Sequence, residues 1–134
     1  MFGDRIFQVL GARHFKERSR YESPDGIALE YTNKDLAMQL VAEVHGTYVN
    51  FMPRNDPARY FPASVIMQYV LGTSYEEEPA LDAVASFLEA HYQDIVRIFS
   101  LRDGGKELQG ISDAVRAENA RKLHYDRQWV REDK

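Results

Sequence analysis

Between Phe15 and Pro53 the chain alternates polar and apolar residues in runs separated by three turn signals, and this constrains the fold more than any other feature. Ser23-Pro24-Asp25-Gly26, Asn33-Lys34-Asp35 and His45-Gly46 are the turns. Ile27, Leu29 and Tyr31 share one face of the first run between turns. Leu36, Met38, Leu40, Ala42 and Val44 share one face of the next. Period-two runs bounded by Pro, Gly, Asn and Asp predict an antiparallel meander. Its strands are expected at Ile27–Asn33, Leu36–Val44 and Thr47–Pro53, with Leu36–Val44 central. An edge strand within Arg13–Glu22 is expected to precede them. There, extended backbone would put Phe15, Glu17, Ser19 and Tyr21 on one face and His14, Lys16, Arg18 and Arg20 on the other.

The rest of the chain reads as helix. Asp4 is expected to cap a short opening helix that Gly11 stops. Pro53-Arg54-Asn55-Asp56-Pro57 ends the meander, since closely spaced prolines cannot sustain a ladder. A helix is predicted over Ala63–Leu71, stopped by Gly72. Another carries Leu81, Val84, Ala85, Leu88, Tyr92, Ile95 and Phe99 at three- and four-residue steps, with Pro79 near its first turn. After Asp103-Gly104-Gly105, a last helix from Lys106 carries Leu108, Ile111, Val115 and Leu123. Its charged end, Tyr125 to Lys134, is expected to fray or project. The expected fold is α+β: a short N-terminal helix, a meander of three to four strands, then two to three helices on one face. One domain is expected over 1–134, with helix and meander in 1–53 and the helical layer in 62–134.

Composition narrows the function classes. A chain of 134 residues buries roughly two-thirds of its unfolded surface without staples. It has no cysteine, which excludes disulfides, thiolate metal sites and cysteine nucleophiles. No run approaches the ~18 apolar residues of a membrane span, and the N-terminus lacks a signal-peptide pattern, so a cytoplasmic location is expected. The net charge of −4 argues against nucleic-acid binding.

The residues that carry chemistry elsewhere do not cluster here. His14, His45, His91 and His124 fall in separate elements, without the spacings metal sites favour. Gly105 to Ser112 superficially matches a phosphate-binding loop, but Ile111 stands where the lysine must be and a helix, not a strand, precedes it. No serine lies in a nucleophile elbow. No catalytic residue, metal or cofactor is therefore expected. The charge is nonetheless uneven: from Glu76 to Asp94 six acids occur without a Lys or Arg. The ordinary reading of Glu76-Glu77-Glu78 is a solvated linker before a helix N-terminus. The functional one is an acidic contact surface, with Glu76, Glu77, Glu78 and Asp82 as partner-binding residues beside Tyr75. Tyr60, Tyr75 and Trp129 are candidate aromatic anchors.

The layout resembles that of small bacterial immunity-type proteins of polymorphic and contact-dependent growth-inhibition toxin systems. The features carrying this are the opening helix ending in Leu10-Gly11, the strand end Tyr21-Glu22-Ser23, the meander, and helices ending in Tyr92–Ser100. They cover about the first hundred residues, and the charged helix from Lys106 departs from the pattern. The resemblance implies a non-enzymatic protein that binds and neutralises a cognate toxin domain. Nuclease toxins are often basic, which an acidic inhibitor would complement. Two other classes stay open: a small-molecule binder or enzyme with a pocket between sheet and helices, for which His91 beside Tyr92 is the one candidate residue, and a structural protein self-associating through the helix around Trp129. The oligomeric state is not legible.

Overall fold

A computed structural model describes residues 2–54, 59–75, 77–100, 106, 108–114 and 116–117. Helix α1 (Asp4–Ala12) leads into strands β1 (Lys16–Ser23), β2 (Gly26–Thr32), β3 (Leu36–Glu43) and β4 (Gly46–Pro53). A two-residue strand β5 (Phe61–Pro62) runs directly into α2 (Ala63–Leu71), and α3 (Leu81–Ser100) follows. Residues 106, 108–114 and 116–117 are helical. The calls on Asn55 to Pro57, Asp103 to Gly105, Val115, His124 and the tail around Trp129 fall wholly or partly outside the described residues, as does Glu76.

All five strands are antiparallel in the order β1-β2-β3-β4-β5, which puts β3 at the centre as its apolar face predicts. Leu36, Met38, Leu40 and Ala42 of β3 share a face of the sheet with Leu29 of β2, Val49 and Phe51 of β4 and Phe61 of β5, and all are buried in one cluster. The cluster is closed by Ile6, Val9 and Leu10 of α1, Val65 and Ile66 of α2, and Val84, Leu88 and Ile95 of α3. Leu108 is also fully buried there, so the helical residues after α3 share this core. Removing any one of these large side chains would leave a cavity costing about 2–5 kcal/mol.

The fold class is thus α+β as the patterning indicates, and four local details differ from expectation. The sheet has a fifth strand: Phe61 pairs with Phe51 and Pro62 with Asn50. Pro62 lacks an N–H, which an edge position tolerates. Val44 does not continue the β3 stripe; it lies past the strand and is 82% exposed.

The third difference is in β1. Its register shifts between Glu17 and Ser19, leaving Arg18 without a cross-strand partner. A bulge inverts the alternation after it. Arg20 therefore shares a face with Glu17 and Glu22, its ion-pair partners at 3.0 and 3.4 Å, rather than with Lys16. Ser19 falls on the opposite face, where its hydroxyl donates to Glu30 at 2.9 Å.

Fourth, α1 starts one residue earlier and stops three residues later than predicted. Gly3, not Asp4, occupies the N-cap, and Asp4 lies in the first turn, where its charge complements the helix dipole. The helix continues through Gly11 to Ala12 and ends on His14, which adopts the left-handed region at φ 62°. The His14 N–H donates to the Gly11 carbonyl and the Phe15 N–H to that of Leu10. These two bonds form a Schellman ending, with buried Phe15 and Leu10 as its hydrophobic contact.

Candidate functional site

The face of the sheet turned away from α1, α2 and α3 carries the alternate residues of each strand. Ala37 lies opposite Met52, Gln39 opposite Asn50, and Val41 opposite Tyr48. Toward the β5 edge this face sinks into a groove of about 460 Å³, within the size range of ligand sites. Gln39, Tyr48, Asn50, Met52, Tyr60, Pro62 and Glu78 line it.

Each polar group there is held by ordinary local physics. Asn50 and Gln39 are a directly opposed cross-strand pair, and Asn50 Nδ2 donates to Gln39 Oε1 at 3.0 Å. That bond commits one amide group of each side chain. Glu78 is anchored at the N-terminal turn of α2. Its carboxylate accepts the backbone N–H of Ser64 at 3.2 Å and the Ser64 hydroxyl. The N-cap of α2 is Pro62, which offers no side-chain acceptor. Glu78 thus takes the place of a local cap and satisfies an N–H that the helix leaves open.

The electrostatics of the groove are one-sided. Burial raises the Tyr48 phenol above its ordinary pKa, and Glu43, Tyr60 and Glu78 raise it further. Among the described residues, the charged side chains acting on it are thus both carboxylates.

The sequence-derived contact residues do not form one uniform patch. Glu77 and Asp82 are exposed, with Asp82 in the first turn of α3. Glu78 is half-buried and turned to Ser64. Tyr75 is half-buried and packs against the core. Glu76 lies outside the described residues. Tyr60 is 52% exposed at the rim of the groove. Sequence reading singled out Tyr60 but missed Tyr48, Gln39 and Asn50. Their outward positions on β3 and β4 were legible from the alternation, yet β5 and the Glu78 contact that complete the groove had no local signal.

The described residues that meet between sheet and helices form the apolar cluster. His91, put forward for an interior site, is a third exposed. Its Nδ1 lies 3.1 Å from Asp94 and its ring 5.1 Å from that of Phe87. The helical geometry of α3 is interrupted at this residue.

One buried polar network crosses that layer. Asn33 Oδ1 accepts the N–H groups of Asp35 and Leu36, and its Nδ2 donates to the Arg13 carbonyl and the Tyr92 hydroxyl. Tyr92 in turn donates to Asp35 at 2.8 Å, and the Arg13 guanidinium stands 4.4 Å over its ring. Every group has a partner on a rigid element, so this knot ties the β2–β3 turn to α1 and α3; it is not open to a ligand. Among the described residues no group of three or more His, Asp or Glu is placed to hold a metal.

A second depression, of about 500 Å³, lies at the end of the sheet where the 23–26 and 43–46 turns meet. Gly26 sits so close to β3 that a Cβ there would come within 2.2 Å of the Ala42 carbonyl oxygen. This depression is therefore a product of turn packing. No family model matches the chain, and neither a curated protein nor a solved structure was found to match it.

Proposed function

We propose that this protein is a non-enzymatic binding module of the immunity type, which recognises and neutralises a basic bacterial toxin domain. The observation that supports this reading is the division of the sheet into two faces. The described helices are spent on one, and the other presents a groove walled by tyrosines, amides and a carboxylate. Tyrosines with hydroxyls at a wet rim are the side chains that anchor protein interfaces. Tyr60 and the 70%-exposed Tyr21 lie toward opposite edges of the sheet, giving such a surface breadth. Exposed Glu77 and Asp82, with the overall charge of −4, supply the sign that steers a basic partner.

The test is co-expression with a toxin domain encoded beside this chain. The expected result is a stable complex on size-exclusion chromatography and restored growth. Glu77→Lys with Asp82→Lys is expected to slow association about tenfold or more at low salt and to flatten its salt dependence. No complex and no rescue with any neighbouring gene product would sink this reading.

A further inference from the structure

We infer that the groove between Tyr48, Tyr60 and Glu78 is a receptor for one arginine side chain of the partner protein. This deepens the reading above and rests on it for the identity of the partner.

The chemistry of the walls selects the ligand. Among the described residues the charged group lining the groove is the Glu78 carboxylate, and Glu43 lies near enough to act on the same Tyr48 phenol. The groove therefore favours a cation. Glu78 is fixed by its two bonds to Ser64, so it is in place before a ligand arrives, and each oxygen retains acceptor capacity. The Asn50–Gln39 bond uses Asn50 Nδ2 and leaves Asn50 Oδ1 as a further acceptor. Tyr48 and Tyr60 add two phenol oxygens and two aromatic surfaces.

Several fixed acceptors beside aromatic surface match a guanidinium better than an ammonium. A guanidinium is planar, carries five donors in a rigid fork, is weakly hydrated and stacks on rings. The methylene stem that precedes it would lie along Met52 and Pro62, the apolar members of the lining. A filled, partly desolvated pocket of this kind is where the binding energy of an interface concentrates.

The assignment is tested on the full chain by NMR titration with N-acetyl-arginine methylamide, which mimics an arginine within a peptide. Saturable shifts are expected at the side-chain amides of Gln39 and Asn50 and at the rings of Tyr48 and Tyr60. The neutral N-acetyl-norleucine methylamide should give none. Tyr60→Ala and Glu78→Gln should each weaken binding about tenfold. Glu78→Gln keeps an oxygen for Ser64, and an unchanged melting temperature would establish that the fold survives. Equal binding of the neutral probe, or no shift with the arginine probe, overturns the proposal. Much tighter binding of free agmatine than of the capped probe also overturns it, by making the groove a small-molecule site. The probe needs no partner, so groove binding without any toxin complex would defeat the immunity reading alone. A complex indifferent to Glu78→Gln would defeat only the arginine receptor.

Discussion

The Tyr92 hydroxyl of α3 donates to Oδ2 of Asp35 in the β2–β3 turn, 2.8 Å away and 57 residues earlier in the chain. This bond joins the helical layer to the sheet through a group that is also bonded to Asn33. Tyr92→Phe keeps the packed ring and strands two polar partners. We expect a loss of about 1–3 kcal/mol in urea unfolding at neutral pH, with no change in circular dichroism.

The same hydroxyl sets an alkaline limit. Burial raises the Tyr92 pKa, and the bond to Asp35 raises it further, while Asn33 and Arg13 oppose these effects. Burial also raises Tyr48 and Tyr31. A group whose folded pKa lies above its unfolded value holds its proton more tightly when folded. Its stabilisation is complete below about pH 10, the unfolded tyrosine value, and is lost as pH rises through the folded pKa. Stability measured against pH should fall above about pH 10, and Tyr92→Phe should flatten that fall.

His14 ends α1 in a conformation that suits glycine. Its side chain is exposed, so replacing it removes backbone strain at little cost in packing. His14→Gly is expected to raise stability by about 0.5–1 kcal/mol by chemical denaturation. A decrease would show that the imidazole has a role in the turn.

Two glycines should respond oppositely to alanine. Gly11 lies inside α1 with open space around its Cβ position, and Gly11→Ala should stabilise by roughly 0.5–1 kcal/mol. Gly26 faces the Ala42 carbonyl at a distance no Cβ tolerates. Gly26→Ala should cost about 1–3 kcal/mol or more, through displacement of the β1–β2 turn from β3. Parallel thermal melts of the two variants would check both signs.

Glu78 caps a helix fourteen residues before it. Glu78→Ala removes that acceptor and is expected to cost about 1 kcal/mol in thermal or urea unfolding. Ser64→Ala should cost less, since the Ser64 backbone N–H retains its acceptor.

What sequence reading captured and what it missed divide along the range of the interactions. Strands β2 to β4, their turns, α2 with its Gly72 stop and the extent of α3 follow from spacing and local chemistry, and all lie within about one residue of where the pattern puts them. The bulge at Arg18 was invisible, because a strand with no buried apolar stripe has no register against which a slip would show. The ending of α1 on His14 rather than Gly11 was decided by the burial of Phe15 against Leu10, a packing outcome. The groove illustrates the same limit. Tyr60 drew notice as an aromatic in a loop, whereas its meeting with Glu78, Tyr48 and Asn50 depends on β5 docking beside β4.

The strand order β1-β2-β3-β4-β5 has a consequence for how the chain is made. Every strand pairs with the one synthesised just before it, so the sheet can zip up in the order in which it leaves the ribosome, with short loops to close. The first helix cannot follow that order. Ile6, Val9 and Leu10 share a cluster with residues of α3, some seventy-five residues downstream, so α1, made before the strands, is sheltered only after them. Its few apolar side chains, flanked by Asp4, Arg5 and Gln8, keep that wait tolerable in water.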